Sequence, residues 1–256
     1  HRDLHLSIRR QRQMCIRDRV IPYVMPGFDL ARLCAERFDA DAGADTIGMV
    51  LLNHGIFSFG ATAKESYERM IFLVGLAEDY LRVKDAWDLP VPVASPARTD
   101  AGIELAQLRK SLSAVVGAPV IVARQTGENA RAFSQRGDLS SIAQQGPATP
   151  DHVIRTKRVP MLGLDLAAYA QAYRDYFAAL EPQAKERKTI LDAAPRIVID
   201  AGLGLLTVGK TAKDAAIVAE IFDHTIDIIL RATRLGGWQA LPAKDIFDVE
   251  YWDLEQ

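Results

Sequence analysis

One stretch of this chain occurs twice. Residues 49–65 read MVLLNHGIFSFGATAKE, and residues 198–214 read VIDAGLGLLTVGKTAKD, an offset of 149. Each copy runs through an apolar strand, a turn glycine (Gly55, Gly204), a second apolar stretch and another glycine (Gly60, Gly209). Thr-Ala-Lys and an acidic residue follow, the pattern of a capped helix start. An apolar strand, a tight turn and an amphipathic helix bury their faces together only in a layered α/β arrangement. The pattern therefore predicts a duplicated strand–turn–strand–helix unit. The copies differ at the turn, where His54 in the first has Leu203 as its counterpart. Only the first copy can offer a metal ligand there.

Around this frame the periodicities predict further elements. Val20–Val24 is β-prone and leads into a helix from about Asp29, with Leu30, Leu33, Cys34 and Phe38 on one stripe. Thr62 reads as an N-cap with Glu65 completing a capping box. The helix it opens extends to about Trp87 and is expected to bury Tyr67, Met70, Ile71, Val74 and Leu81. Pro90, Pro92 and Pro96 mark a linker or domain edge. A helix at 99–116, a strand at 119–123, a polar surface loop at 126–148 and a helix at 165–180 precede the second copy. Thr149-Pro150 places an N-cap and an N1 proline before His152. The acidic, aromatic segment 245–256 reads as a packing segment leading onward.

The apolar content, 49%, is ample for a packed core, and no apolar run reaches the ~18 residues of a membrane span. A net charge of −2 with no basic face argues against nucleic-acid binding. Two cysteines give no disulfide framework and make a reducing cytoplasm the expectation. The first 19 residues stand apart: six Arg and two Asp give them +4, which leaves −6 for the remainder. The run RRQRQMCIRDR resembles translated adapter read-through. Residues 1–19 are accordingly expected to be a non-native or disordered tail, with domains at 20–96 and 97–256.

His54, beside a glycine that frees the backbone, should face a cleft, either as a metal ligand or as a hydrogen-bonded histidine ending a core strand. One histidine is not a site, because catalytic zinc needs three protein ligands. His152, Arg155 and Lys157 form a cationic group near a helix start, either a phosphate-binding site or a solvated basic patch. His224 lies mid-helix among apolar residues and reads as a core or interface histidine. Gly202-Leu-Gly204 through Gly209 only approaches a dinucleotide fingerprint, and its glycines read as hairpin glycines.

Leu51-Leu-Asn-His-Gly-Ile-Phe-Ser-Phe-Gly60 before a capped helix resembles the last histidine motif of the class II aldolase/adducin superfamily. Pro22–Phe28, Thr149–Lys157 and Phe247–Gln256 resemble one branch of it, the bifunctional rhamnulose-1-phosphate aldolase/short-chain alcohol dehydrogenases. The resemblance covers residues 20–256. It implies an α/β/α sandwich with a central mixed sheet, and a divalent metal, Zn2+, with His54 as a ligand in the loop bounded by Gly55 and Gly60. It also implies cleavage of a ketose 1-phosphate to dihydroxyacetone phosphate and lactaldehyde, a small sugar-phosphate substrate and a homo-oligomeric parent. NAD(P) would belong to a dehydrogenase domain that is absent here. The family's His-x-His pair and catalytic carboxylate have no counterpart after residue 19, which makes the chain an expected internal fragment, inactive by itself. A non-catalytic, adducin-like binding or assembly role is the alternative.

Overall fold

The computed structural model describes residues 20–43, 45–96 and 98–253. The expectations for residues 1–19 and for the last three residues of the segment 245–256 lie outside the described residues. The chain divides into two compact units, one ending at Trp87 and the other beginning at Asp88.

In the first unit, β1 (Val20–Ile21) is followed by α1 (Phe28–Asp41), β2 (Gly48–Leu51), β3 (Gly55–Ser58) and α2 (Ala63–Val83). The sheet order is β1-β2-β3, with β1 parallel and β3 antiparallel to β2. The second unit contains α3 (Gly102–Val116), β4 (Ile121–Gln125), α4 (Glu128–Ser134), α5 (Leu139–Ile142), a 3-10 turn (Pro150–His152) and α6 (Val153–Thr156). It continues with β5 (Met161–Leu162), α7 (Leu166–Leu180), β6 (Ile197–Asp200), β7 (Gly204–Gly209), α8 (Ala212–Arg234) and α9 (Ala243–Glu250). Its sheet runs β4-β7-β6-β5, again with one parallel pair, β5 with β6.

The duplication holds at the level of register. β2 pairs with β3 from Gly48↔Ser58 to Leu51↔Gly55, and β6 pairs with β7 from Ile197↔Thr207 to Asp200↔Gly204, the same pairs displaced by 149. Both turns use a left-handed glycine at the same place, Gly55 at φ 141° and Gly204 at φ 86°. Gly60 and Gly209 also share a role. A Cβ on Gly60 would lie 2.9 Å from the Ser66 amide nitrogen, and one on Gly209 only 2.4 Å from that of Ala215. The absent side chain is what lets the strand end run against the first turn of the helix.

The second unit is a three-layer α/β/α sandwich. Along β6, Ile197 and Ile199 face α4 and α8, packing on Phe133, Val218, Phe222 and Ile226. Val198 points the other way, toward Leu108, Leu112 and Leu166 of α3 and α7. That is the period of two that burial on both faces of a strand demands.

Two expectations need correction. The segment 126–148 is not a surface loop: it folds into α4 and α5 and buries Ala130, Phe133 and Ile142 in the core. Its apolar residues are few but are spaced to fall on one side of short helices. The inward face of α2 is also not the predicted stripe. Tyr67 is 67% exposed, Ile71 and Val74 are exposed, and Leu73 is buried, while Met70 and Leu81 are half-buried. Polar contacts turn the helix: Ser66 and Ser58 exchange hydroxyl-to-carbonyl hydrogen bonds of 2.8 and 3.1 Å, and Arg69 Nη1 donates to the Phe59 carbonyl at 2.8 Å. These anchors set which side meets β3.

Candidate functional site

The turn between β2 and β3 is built by the backbone first. Asn53 adopts φ 63°, Gly55 follows at φ 141°, and the His54 amide donates to the Leu51 carbonyl at 3.1 Å. The side chain of His54 therefore leaves the sheet at its end. Its ring is half-buried and lies over Tyr23, with centroids 5.1 Å apart and planes 16° from parallel. Its Nε2 is 2.8 Å from the Val24 carbonyl oxygen. A carbonyl only accepts, so Nε2 carries the proton and the neutral ring keeps its lone pair on Nδ1. A carbonyl on one ring nitrogen is how a ligating histidine is usually oriented. The segment before α1 thus aims His54, a role of Tyr23 and Val24 that no motif announces.

The geometry fits one donor of a metal centre. No group of three or more His, Cys, Asp or Glu side chains able to hold a metal is gathered among the described residues. These residues do not by themselves fit a held ion.

The second copy shows what its turn became without the histidine. Leu203 is 1% exposed and packs among Leu108, Leu112 and Leu206. Asp200 Oδ1 accepts from the Gly202 and Leu203 amides at 2.9 and 2.8 Å, closing the turn from inside. Arg124 of β4 caps it from outside, donating through Nε to the Leu203 carbonyl at 2.7 Å and through Nη1 to the Arg98 carbonyl at 2.6 Å. Core packing and a guanidinium occupy this turn. The glycines here also belong to a hairpin: after Gly204 comes β7, not the helix a dinucleotide loop would open.

His152, Arg155 and Lys157 point to different surroundings. His152 is half-buried with its ring edge-on to that of His224, 6.3 Å between centroids. Burial, and then the neighbouring His224, lower its pKa, against the pull of Asp151. Arg155 is exposed and acts electrostatically on Asp214. Lys157 is 4% exposed, at φ 63°, and its Nζ donates to the Tyr173 hydroxyl at 2.7 Å beside the Glu250 carboxylate. Its destination in a tyrosine-lined interior is not legible from a basic run in the sequence.

Comparison with known proteins bears on both units. A family model described as "Aldolase class II, second domain" matches residues 99–256. One described as "Class II Aldolase and Adducin N-terminal domain" matches residues 4–81, a span that includes most of the arginine-rich start. A Bacillus subtilis (strain 168) protein named "Uncharacterized oxidoreductase YuxG" is 24% identical over 260 residues, covering 92% of this chain and 37% of its own length. The chain thus spans little more than a third of that relative. No solved structure matches it.

Proposed function

We infer, from the premise that this chain belongs to the class II aldolase/adducin superfamily, that its first unit contributes His54 to the centre of an aldolase. The substrate class is a ketose 1-phosphate of the rhamnulose type, cleaved to dihydroxyacetone phosphate and lactaldehyde. The supporting observation is the contrast within the duplicated unit. The same register and turn present a half-buried, pre-oriented imidazole in one copy and a core leucine in the other. His54 is a ligand of a divalent metal, zinc by its chemistry, whose other donors come from outside the described residues. The parent acts as a homo-oligomer. An oxidoreductase name on a relative nearly three times as long fits a nicotinamide-dependent domain outside the matched span. The second unit, with its turn filled by Leu203 and Arg124, supports the adducin-like alternative for that half alone.

The test is paired substitution in the protein carried on its whole reading frame. His54→Ala should abolish cleavage of a ketose 1-phosphate while circular dichroism and the melting transition stay close to wild type. Leu203→Ala should do the reverse, keeping activity at permissive temperature and losing about 3 kcal/mol of stability, as for a large-to-small core change. Full activity in His54→Ala would remove the reading.

A further inference from the structure

The second unit buries two opposite charges. Lys157, at the end of α6, and Glu250, at the end of α9, are 4% and 2% exposed. Their Nζ and Oε1 atoms are 3.6 Å apart, and the hydroxyl of Tyr173 of α7 joins them. It accepts from Lys157 at 2.7 Å and donates to Glu250 at 2.7 Å. With its one proton committed to the carboxylate, it must accept from Tyr251, whose hydroxyl is 2.6 Å away. The ammonium also lies 4.0 Å over the Tyr173 ring, and Tyr176 stands beside the same carboxylate. Arg196 and Asp192, themselves paired at 2.6 Å, face the lysine from the loop before β6.

Burial holds the Lys157 amine down at about 8 and pushes the Glu250 carboxyl upward. Each charge is costly there without the other. The left-handed backbone at Lys157, unusual for a residue with a Cβ, shows that the chain bends to deliver this amine. Three elements meet at the cluster, and they are unequal. α7 is a 15-residue helix with Leu166, Ala170 and Tyr173 buried, whereas α9 has eight residues, buries Ile246, Phe247 and Val249, and packs on α6, the 3-10 turn and α7. α9 is the shorter helix and carries Glu250 in its last turn, so it is the element whose displacement brings an uncompensated charge to water.

We propose that the Lys157–Tyr173–Glu250 cluster is a conformational lock, in which neither charge can stand without the other if α9 is to stay docked on the segment carrying His152 and Arg155. Removing one charge releases α9 and residues 150–157 as a local unit. Removing both lets apolar side chains pack in their place and restores docking.

Amide hydrogen exchange on the full chain tests this, comparing wild type with Lys157→Met, Glu250→Gln and the double variant Lys157→Met/Glu250→Met. Each single variant should speed exchange in 243–251 and 150–157 by about tenfold or more while β6 and β7 keep their protection. The double variant should return both segments to wild-type rates. Three results overturn the lock: single variants with wild-type rates in α9, protection lost evenly across β6 and β7, or a double variant as open as the singles.

Discussion

A half-buried imidazole beside a second imidazole resists protonation on two counts, loss of water and repulsion by its neighbour. His152 is in that position against His224, and its folded-state pKa lies below its ordinary value. The sign of the consequence follows from proton counting. Below pH ~6.5 the unfolded chain binds a proton at this residue that the folded chain still refuses. The stability it contributes is therefore complete above pH ~6.5 and is lost as the pH falls toward the folded value. Urea unfolding between pH 5 and 7.5 should show the midpoint falling on the acid side. His152→Gln should flatten that slope, and an unchanged slope would mean the acid sensitivity lies elsewhere. His152, Arg155 and Lys157, which in sequence read as either a phosphate site or a solvated basic patch, have different surroundings in the structure. The burial of Lys157 was not legible in sequence, because a positive φ on a lysine leaves no trace in residue type.

At the scale of elements, the repeated helix starts were legible because capping chemistry is local. α8 has a full reciprocal box: Thr211 Oγ1 accepts from the Asp214 amide at 3.1 Å, and Asp214 accepts from the Thr211 amide at 3.0 Å. α2 varies it. Thr62 Oγ1 accepts from the Glu65 amide at 3.2 Å, but the longer glutamate reaches past the cap to the Ala61 amide at 2.7 Å. The two caps should respond differently to substitution. Thr211→Ala should cost about 1 kcal/mol, because it removes the hydroxyl that anchors both halves of the box. Thr62→Ala should cost less, since Glu65 still satisfies an amide of the entry turn. Thermal or urea unfolding of the two variants measures the difference, and equal losses would contradict the distinction. Strand pairing was legible too, since apolar runs broken by turn glycines set its register. The inward face of α2 was not, because serine and arginine contacts to β3 outranked the apolar stripe. The short helices at 128–142 escaped for a related reason: too few apolar residues to make a period, yet enough to fill one side of the core.

At the scale of the whole molecule, the two units share a motif and differ in what completes it. In the second unit β4 pairs along five residues of β7 and supplies Arg124 to the turn. In the first, β3 has no partner on that edge among the described residues. The family was legible in sequence because turn, glycines and cap are contiguous, whereas the rest of a metal centre is assembled by topology. This leads to a prediction about zinc. One imidazole, however well oriented, makes a weak site, and three fixed ligands make a retained one. The 256-residue chain, dialysed against zinc and then against buffer, should hold well under one equivalent by elemental analysis. His54→Ala should change that little. The protein carried on its whole reading frame should retain about one equivalent per chain and lose it on the same substitution, since removing one of a few ligands opens the site. One retained zinc in the 256-residue chain, released by His54→Ala, would place the remaining ligands within these 256 residues and refute the expected weak binding.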